Sequence, residues 1–470
     1  MFARRFSLRF LPILLLLSLA FAGRSQSRSR LLAATPPMGW NSWDAYGLTI
    51  TEAQFRQNVT VLAGLRSLGW RYAVIDEGWY MQNPLASGAA EQQFVLDEHG
   101  RLIPALGRFP SASGGAGLKP IADWVHAQGL LFGIHLVRGI PRESVRRNLP
   151  IAGSHFTAAE AGDTSDVCPW DDGNYGVRDN AAGQAWYDSM IGLYASWGVD
   201  FLKVDCISDH PYRITEIRQI AAAIRKTGRP IALSLSPGPT ALSHAEEVAK
   251  YAQMWRISDD HWDVWSHVPQ PGQSEFPLGT LQAFDRLAAW HQWAGAGHWP
   301  DEDMLPFGDL EPHPGWGKPR PSRLTHDEEQ TEFTLWAIAR SPLILGANLT
   351  RLDAFTQGLM QNRLLIALNQ QGNGAPLEKL PPQWTNLRCW ESTVSGGRYA
   401  GRYLAVFNVG DQQQSVRVDA AAMQWVAPRT PVARIREMAT QRTWPTQTGG
   451  SIVLPAHGSA VLRLEPGKAQ

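Results

Sequence analysis

Only three cysteines, Cys168, Cys206 and Cys389, occur in the 470 residues. That is too few for a disulfide scaffold and allows one bridge at most. Net charge is missing too: 43 Lys+Arg balance 43 Asp+Glu. With no long-range field, nucleic acid and anionic membranes are excluded as partners, and a neutral partner fits best. Beyond the extreme N-terminus no apolar run reaches the roughly 18 residues of a spanning helix, so no integral membrane segment is expected in the mature chain. The 13 histidines are scattered, without the strand-end His-x-His or His/Asp grouping that a metal-dependent barrel hydrolase requires, so no metal site is expected. Internal repeats beyond an alternation of strands and helices are absent, as are low-complexity tracts.

What is present begins with a basic stretch, Met1 to Arg9, and an apolar run over 10–22 that closes on Ala20-Phe21-Ala22. These features define a secretory signal peptide over 1–22, cleaved after Ala22, with an uncleaved anchor as the competing reading. A polar Ser/Arg linker over 23–33 follows, and the mature protein is expected to be secreted or periplasmic. A chain of 470 residues with 44% hydrophobic content can fill more than one core, so a large domain and a smaller one are expected. Twenty tryptophans supply flat apolar faces with one N–H donor each, suited to the C–H faces and hydroxyls of sugars. About half of them are assigned to cores, and a handful to sugar contact.

Short apolar strands that end in polar residues recur at 38–43, 71–79, 130–137, 201–206, 230–236, 254–260, 299–305 and 342–349, with helical stretches such as 182–197 and 218–227 between them. Continuous apolar strands imply burial on both faces, as in parallel sheets. Eight such units over 34–370 match a (β/α)8 TIM barrel of α/β class. An open doubly wound sheet would alternate similarly, but no Gly-rich phosphate turn follows the first strand. Over 375–468 the pattern changes to period-two alternation, which implies a C-terminal antiparallel β-sandwich with one wet face. It could act as a stabilising cap or as a sugar-binding module, and the lack of an obvious exposed aromatic platform favours the cap.

In a parallel barrel, functional groups project from the C-terminal strand ends. Those ends carry Asp76 and Glu77, His135, Lys203 and Asp205, Ser236, Arg256 with Asp259 and Asp260, and Asp301 with Asp303. One isolated acid would simply cap the next helix; so many together suggest a site. Glycoside cleavage needs an ionised carboxylate to attack the anomeric carbon and a protonated one to assist the leaving oxygen. Asp205 and Asp260 can fill these roles, at about 5–5.5 Å apart if configuration is retained. Lys203, two residues before Asp205 on the same strand face, can keep that carboxylate ionised and reach a sugar hydroxyl. Arg256 can orient groups near Asp260.

The segments Pro-Pro-Met-Gly-Trp-Asn-Ser-Trp (36–43), Ile-Asp-Glu-Gly-Trp (75–79), Phe-Leu-Lys-Val-Asp (201–205), Trp-Arg-Ile-Ser-Asp-Asp (255–260), Trp-Pro-Asp-Glu-Asp-Met-Leu (299–305) and Ser-Pro-Leu-Ile-Leu-Gly (341–346) resemble glycoside hydrolase family 27. That family contains α-galactosidases and α-N-acetylgalactosaminidases, and the resemblance runs from about residue 34 to the C-terminus. It implies a (β/α)8 barrel with a C-terminal antiparallel β domain, a retaining double displacement and no cofactor. It places the nucleophile on Asp205 and the acid/base on Asp260, and lines the galactose pocket with Trp43, Asp76, Lys203, Arg256, Asp303 and Met304.

The chain also departs from the family pattern. Asp76-Glu77-Gly78 stands where Asp-Asp-Cys is usual, so one acid that faces the sugar's 4- and 6-hydroxyls is longer by a methylene. His135 replaces a usual Tyr, as a sugar contact or as a satisfied strand-end histidine. Ser236 stands where galactosidases place a Glu near the 2-hydroxyl. The insertion at 139–172 is expected to cover the pocket, Asp301 to hold its own loop, and Cys168 either to bridge to Cys206 or to remain a buried thiol. The activity implied is exo-hydrolysis of terminal α-galactosides. The alternatives are an α-N-acetylgalactosaminidase, a β-L-arabinopyranosidase or a non-catalytic sugar-binding barrel.

Overall fold

The computed structural model describes residues 31–86, 91–209, 211–269, 276–427 and 431–467. The expected signal peptide and most of the linker lie outside them. Eight parallel strands form one curled sheet: β1 (Met38–Asn41), β2 (Tyr72–Ile75), β3 (Leu131–Val137), β4 (Phe201–Asp205), β5 (Ala232–Leu235), β6 (Met254–Arg256), β7 (Trp299–Asp301) and β8 (Leu343–Leu345). Consecutive strands pair from β1 through β7, and β1 also pairs with β8. Closure between β7 and β8 runs through Leu305, whose N–H donates to the Ile344 carbonyl at 2.8 Å and whose carbonyl accepts from Gly346 N–H at 3.1 Å.

Side-chain alternation gives each strand an inner row, and that row changes character along the barrel axis. Its lower part is apolar: Tyr72, Val74, Phe201, Ala232, Met254, Trp299 and Ile344 form one buried cluster. Two residues further along the same rows come Asp76, Lys203 and Asp205, Ser234 and Ser236, Arg256 and Asp301. A filled base thus carries a polar floor at the C-terminal strand ends, where barrel active sites form. Gly133 leaves room inside the barrel, since a Cβ there would meet Val74 Cγ2 at 2.9 Å.

The outward rows pack under helices that include α1 (Glu52–Gly64), α2 (Lys119–Ala127), α3 (Ala181–Trp197), α4 (Ile214–Thr227), α5 (Ala245–Tyr251), α6 (Thr280–Trp290), α7 (His326–Ala339) and α8 (Arg363–Gln371). Thr51 with Gln54 and Thr325 with Glu328 make capping boxes that start α1 and α7. Gly198 at φ 94° and Gly228 at φ 71° end α3 and α4 in the left-handed conformation that glycine adopts freely.

The C-terminal part is antiparallel, as the alternation implied. β9 (Leu387–Val394), β10 (Gly401–Asn408), β12 (Val432–Glu437) and β14 (Ser459–Pro466) form the main sheet, and β11 (Gln414–Val418) pairs with β13 (Gly450–Leu454) in a second layer. The two layers enclose Leu404, Val406, Val416, Val418, Ile435, Ile452, Leu454 and Leu462. The opposite face of β10 is not wet, contrary to the expectation from sequence. Tyr403, Ala405 and Phe407 join the barrel's outer core, with the Phe407 ring 5.1 Å from that of Phe284 on α6. Each such buried aromatic contributes roughly 1.5–3 kcal/mol, so from Leu32 onward the chain is one compact unit. The single aromatic most exposed in this part is Trp425, at 45%. Among the described residues no helix is long and apolar enough to cross a membrane.

Candidate active site

The polar floor opens into a cavity of about 610 Å³ lined by Trp43, Asp76, Glu77, His135, Lys203, Asp205, Ser236, Asp260, Asp303 and Met304, among others. These are the residues expected from the strand-end pattern and the family resemblance, with one exception. Arg256 does not line the cavity; it lies beneath it, 2% exposed, with guanidinium nitrogens 2.8 Å from Asp303 Oδ1 and 3.3 Å from Asp260 Oδ1. Arg256 therefore aims two acids rather than forming the wall. Among the described residues no group of three or more His, Cys, Asp or Glu could hold a metal ion.

Lys203 pairs directly with Asp76, and its charge also lowers the pKa of the Asp205 carboxyl, as expected. Its ammonium sits 3.0 Å from Asp76 Oδ2, and Asp76 also accepts from Asn41 Nδ2 at 2.5 Å and from the Glu77 N–H at 2.8 Å. Burial alone would raise the Asp76 pKa, but Lys203, His135 and these donors hold it well below the usual carboxylate range. Asp205 is instead contacted by His135, whose Nε2 is 3.3 Å from Oδ2, and by Trp170, whose Nε1 donates to Oδ1 at 3.3 Å. Burial pushes the Asp205 carboxyl up; the His135 hydrogen bond and charge, then Lys203, outweigh it and leave the group below its ordinary value. His135 is fixed from behind, because its carbonyl accepts from Trp79 Nε1 at 2.8 Å.

Asp260 is shifted the other way. Removal from bulk water raises it, Arg256 counters, and the charges of Asp205 and Asp259 raise it further, so the net direction is up. Asp303 follows: burial and the neighbouring Asp260 and Asp301, against Arg256, push its carboxyl up to about 7. Asp303 has a backbone φ of 95° just past β7. Its own N–H donates to Asp301 Oδ1 at 3.1 Å, and its Oδ2 accepts from the His261 N–H at 2.9 Å. Asp301 thus has the loop-holding place expected of it. Glu77 is raised well above its ordinary value, first by burial and then by the adjacent Asp171 and Asp205.

Several cavity residues were not singled out from sequence, Asp44, Trp170 and Asp171 among them. Asp44 follows Trp43, and both its oxygens are buried without a hydrogen-bond partner among the described residues. Burial and the charge of Asp303 raise its pKa well above normal. Its place just past the end of β1 was a usable signal, by the rule that found Asp76. Trp170 and Asp171 come from the insertion after β3, where no strand pattern marks a direction. That insertion does reach the cavity, as expected, and Cys168 is bridged to Cys206 while Cys389 stays a buried thiol.

Two carboxyls on one cavity, one held ionised and the other pushed toward protonation, are the arrangement that acid–base chemistry at a single centre requires. Residues 171–371 match the profile of the family described as Alpha galactosidase A. A β-L-arabinopyranosidase of family 27 from Geobacillus stearothermophilus is similar in structure at TM-score 0.84 and 37% identity, covering 93% of this chain and 98% of that one. A variant of that enzyme in complex with arabinose is similar as well, at TM-score 0.83 and 38% identity, with the same shares covered. A structure from Bacillus halodurans described as a putative α-N-acetylgalactosaminidase follows at TM-score 0.77 and 36% identity, covering 93% of this chain and 99% of that one. The α-galactosidase A of Cellvibrio japonicus is 27% identical over 455 residues, 94% of this chain and 95% of that protein.

Proposed function

The chain belongs to glycoside hydrolase family 27 and is a glycosidase, and on that premise we propose a retaining double displacement with Asp205 as nucleophile and Asp260 as general acid/base. The observation that carries the proposal is the opposed shift of the two carboxyls on one cavity. In the first step an Asp205 oxygen attacks the anomeric carbon while the Asp260 proton passes to the departing glycosidic oxygen, which leaves a glycosyl ester on Asp205. In the second, Asp260, now a carboxylate, takes a proton from water as that water attacks the same carbon and frees Asp205.

The sugar proposed is a terminal pyranose of galacto configuration, either an α-D-galactoside or the β-L-arabinopyranoside that differs from it by lacking the hydroxymethyl group. Glu77 favours the pentose. Its extra methylene and its buried neighbour Asp171 take up space on the side where the family resemblance puts the 4- and 6-hydroxyls. The likeness to the Geobacillus β-L-arabinopyranosidase supports this preference, and the family profile supports the galactoside as the second substrate. Kinetics on 4-nitrophenyl β-L-arabinopyranoside, α-D-galactopyranoside and N-acetyl-α-D-galactosaminide test it. Highest kcat/KM on the arabinopyranoside is expected; highest kcat/KM on either hexoside overturns the sugar preference and leaves the mechanism standing.

Export is part of the same proposal. The signal-peptide pattern over 1–22 and the Cys168–Cys206 bridge, which suits an oxidising compartment, support it. N-terminal sequencing of protein recovered outside the cytoplasm should begin after Ala22; an intact Met1 there removes the proposal.

A further inference from the structure

The insertion after β3 is built around the nucleophile. It folds into three short strands, Ile140–Pro141, Gly162–Val167 and Asn174–Val177, the last pairing with both others. Its base is fastened by Arg138, which reaches Asp166 at 2.9 Å, Glu216 at 2.8 Å and the Cys206 carbonyl at 2.6 Å. Its tip is fastened by the Cys168–Cys206 disulfide, and Cys206 is the residue directly after Asp205. Two positions past Cys168, Trp170 reaches back over that short tether to Asp205 Oδ1 at 3.3 Å. Trp79 and Trp255 are fully buried, as core tryptophans are, yet Trp170 is 49% exposed. An indole left half in water at the rim of a cavity contributes little to packing, so its contact with the carboxylate needs another account.

We propose that Trp170 is a positioning residue for the nucleophile: its indole N–H holds one oxygen of Asp205 while His135 holds the other, and the Cys168–Cys206 bridge sets the loop that presents it. The inference rests on Asp205 being the nucleophile. A carboxylate gripped at both oxygens has its rotamer fixed before substrate arrives, which lowers the cost of reaching the attacking geometry. The groups that face Asp205 are His135 from β3, Lys203 from its own strand, Asp76 and Glu77 from the end of β2, and Asp260 from beyond β6. His135 and Lys203 favour its ionised form, and the acids oppose it. Trp170 adds a neutral donor to the favouring side. At 3.3 Å the bond lies at the long end of the usual range, so the expected effect is modest.

Trp170→Phe keeps the ring and deletes the donor. The acid limb of the kcat/KM profile should move up by about half a pH unit, and kcat should fall severalfold with KM changed less than kcat. Cys168→Ser with Cys206→Ser should reproduce that displacement, because it frees the loop without touching the indole. An acid limb in Trp170→Phe that overlays the wild-type limb overturns the inference, as does a loss confined to KM. Trapping with a 2-deoxy-2-fluoro glycosyl fluoride of the preferred sugar, followed by peptide mapping, separates the two levels. A label on Asp205 with an unmoved limb rejects only the role of Trp170, whereas a label elsewhere rejects the nucleophile and this inference with it.

Discussion

Lys203 is paired with Asp76 at 3.0 Å while its charge also favours ionised Asp205, and both partners of the pair are largely withdrawn from water, at 13% and 2% side-chain exposure. Breaking a buried pair leaves one charge uncompensated, which typically costs about 3–5 kcal/mol. Lys203→Met should therefore lower the unfolding midpoint markedly. Adding Asp76→Asn should return much of the lost stability while activity stays absent, because the floor has lost both groups that can bind sugar hydroxyls. Thermal unfolding of the single and double variants checks this; equal destabilisation by both would show that the pair is not the unit.

Removing the attacking carboxylate should be near-complete in effect. Asp205→Gly is expected to lose at least about a thousandfold in kcat, since the covalent step loses its nucleophile. Azide should restore part of the rate by occupying the vacated space and should give a glycosyl azide of inverted configuration. Recovery of a product with retained configuration would point to another nucleophile.

Asp260→Asn should separate the two steps. General acid catalysis is worth about 10²–10⁴-fold where the leaving group is poor, so the alkyl glycoside should suffer by that factor. An aryl glycoside with a 2,4-dinitrophenyl leaving group needs no protonation, so its first step should be nearly unchanged and glycosyl-enzyme should accumulate. A burst of dinitrophenolate followed by slow turnover is the expected trace.

The strand ends made most of this site legible. Alternation carried Asp76, Lys203, Asp205 and Ser236 to one face of the barrel, because a period of two leaves no choice once the lower residues are apolar. Ion-pair partners were not legible. Lys203 could reach either Asp76 across the barrel or Asp205 on its own strand, and only packing decided for Asp76. Trp170 was hidden for a different reason: it belongs to an insertion whose direction is fixed by a disulfide and by Arg138, not by any periodic pattern. The two-faced burial of β10 was likewise unreadable, since it depends on Phe284 of a distant helix.

The raised acids make stability depend on pH in a stated direction. Asp303 titrates at about 7 in the folded protein and near 3.9 when unfolded, so between those values the folded state holds a proton that the unfolded state has released. Stability from this group is complete below the unfolded value and is lost as pH rises through about 7. Asp303→Asn should flatten that part of the profile of unfolding midpoint against pH, measured from 4 to 8 or so. A wild-type midpoint that climbs steadily across the window, and a variant that climbs with it, would contradict the shift.

Glu77 offers the sharpest test of substrate choice. Glu77→Asp removes one methylene from a buried acid that borders the cavity beside Asp171, and a methylene in a close-fitting pocket is worth about 10–200-fold in discrimination. If the longer acid excludes the hydroxymethyl group, the shorter one should raise kcat/KM for the α-D-galactoside about tenfold or more relative to the β-L-arabinopyranoside. The gain should appear chiefly in KM, because the added room accommodates a substituent and removes neither Asp205 nor Asp260. A ratio that stays constant while both rates fall would mean that Glu77 supports the floor without choosing the sugar.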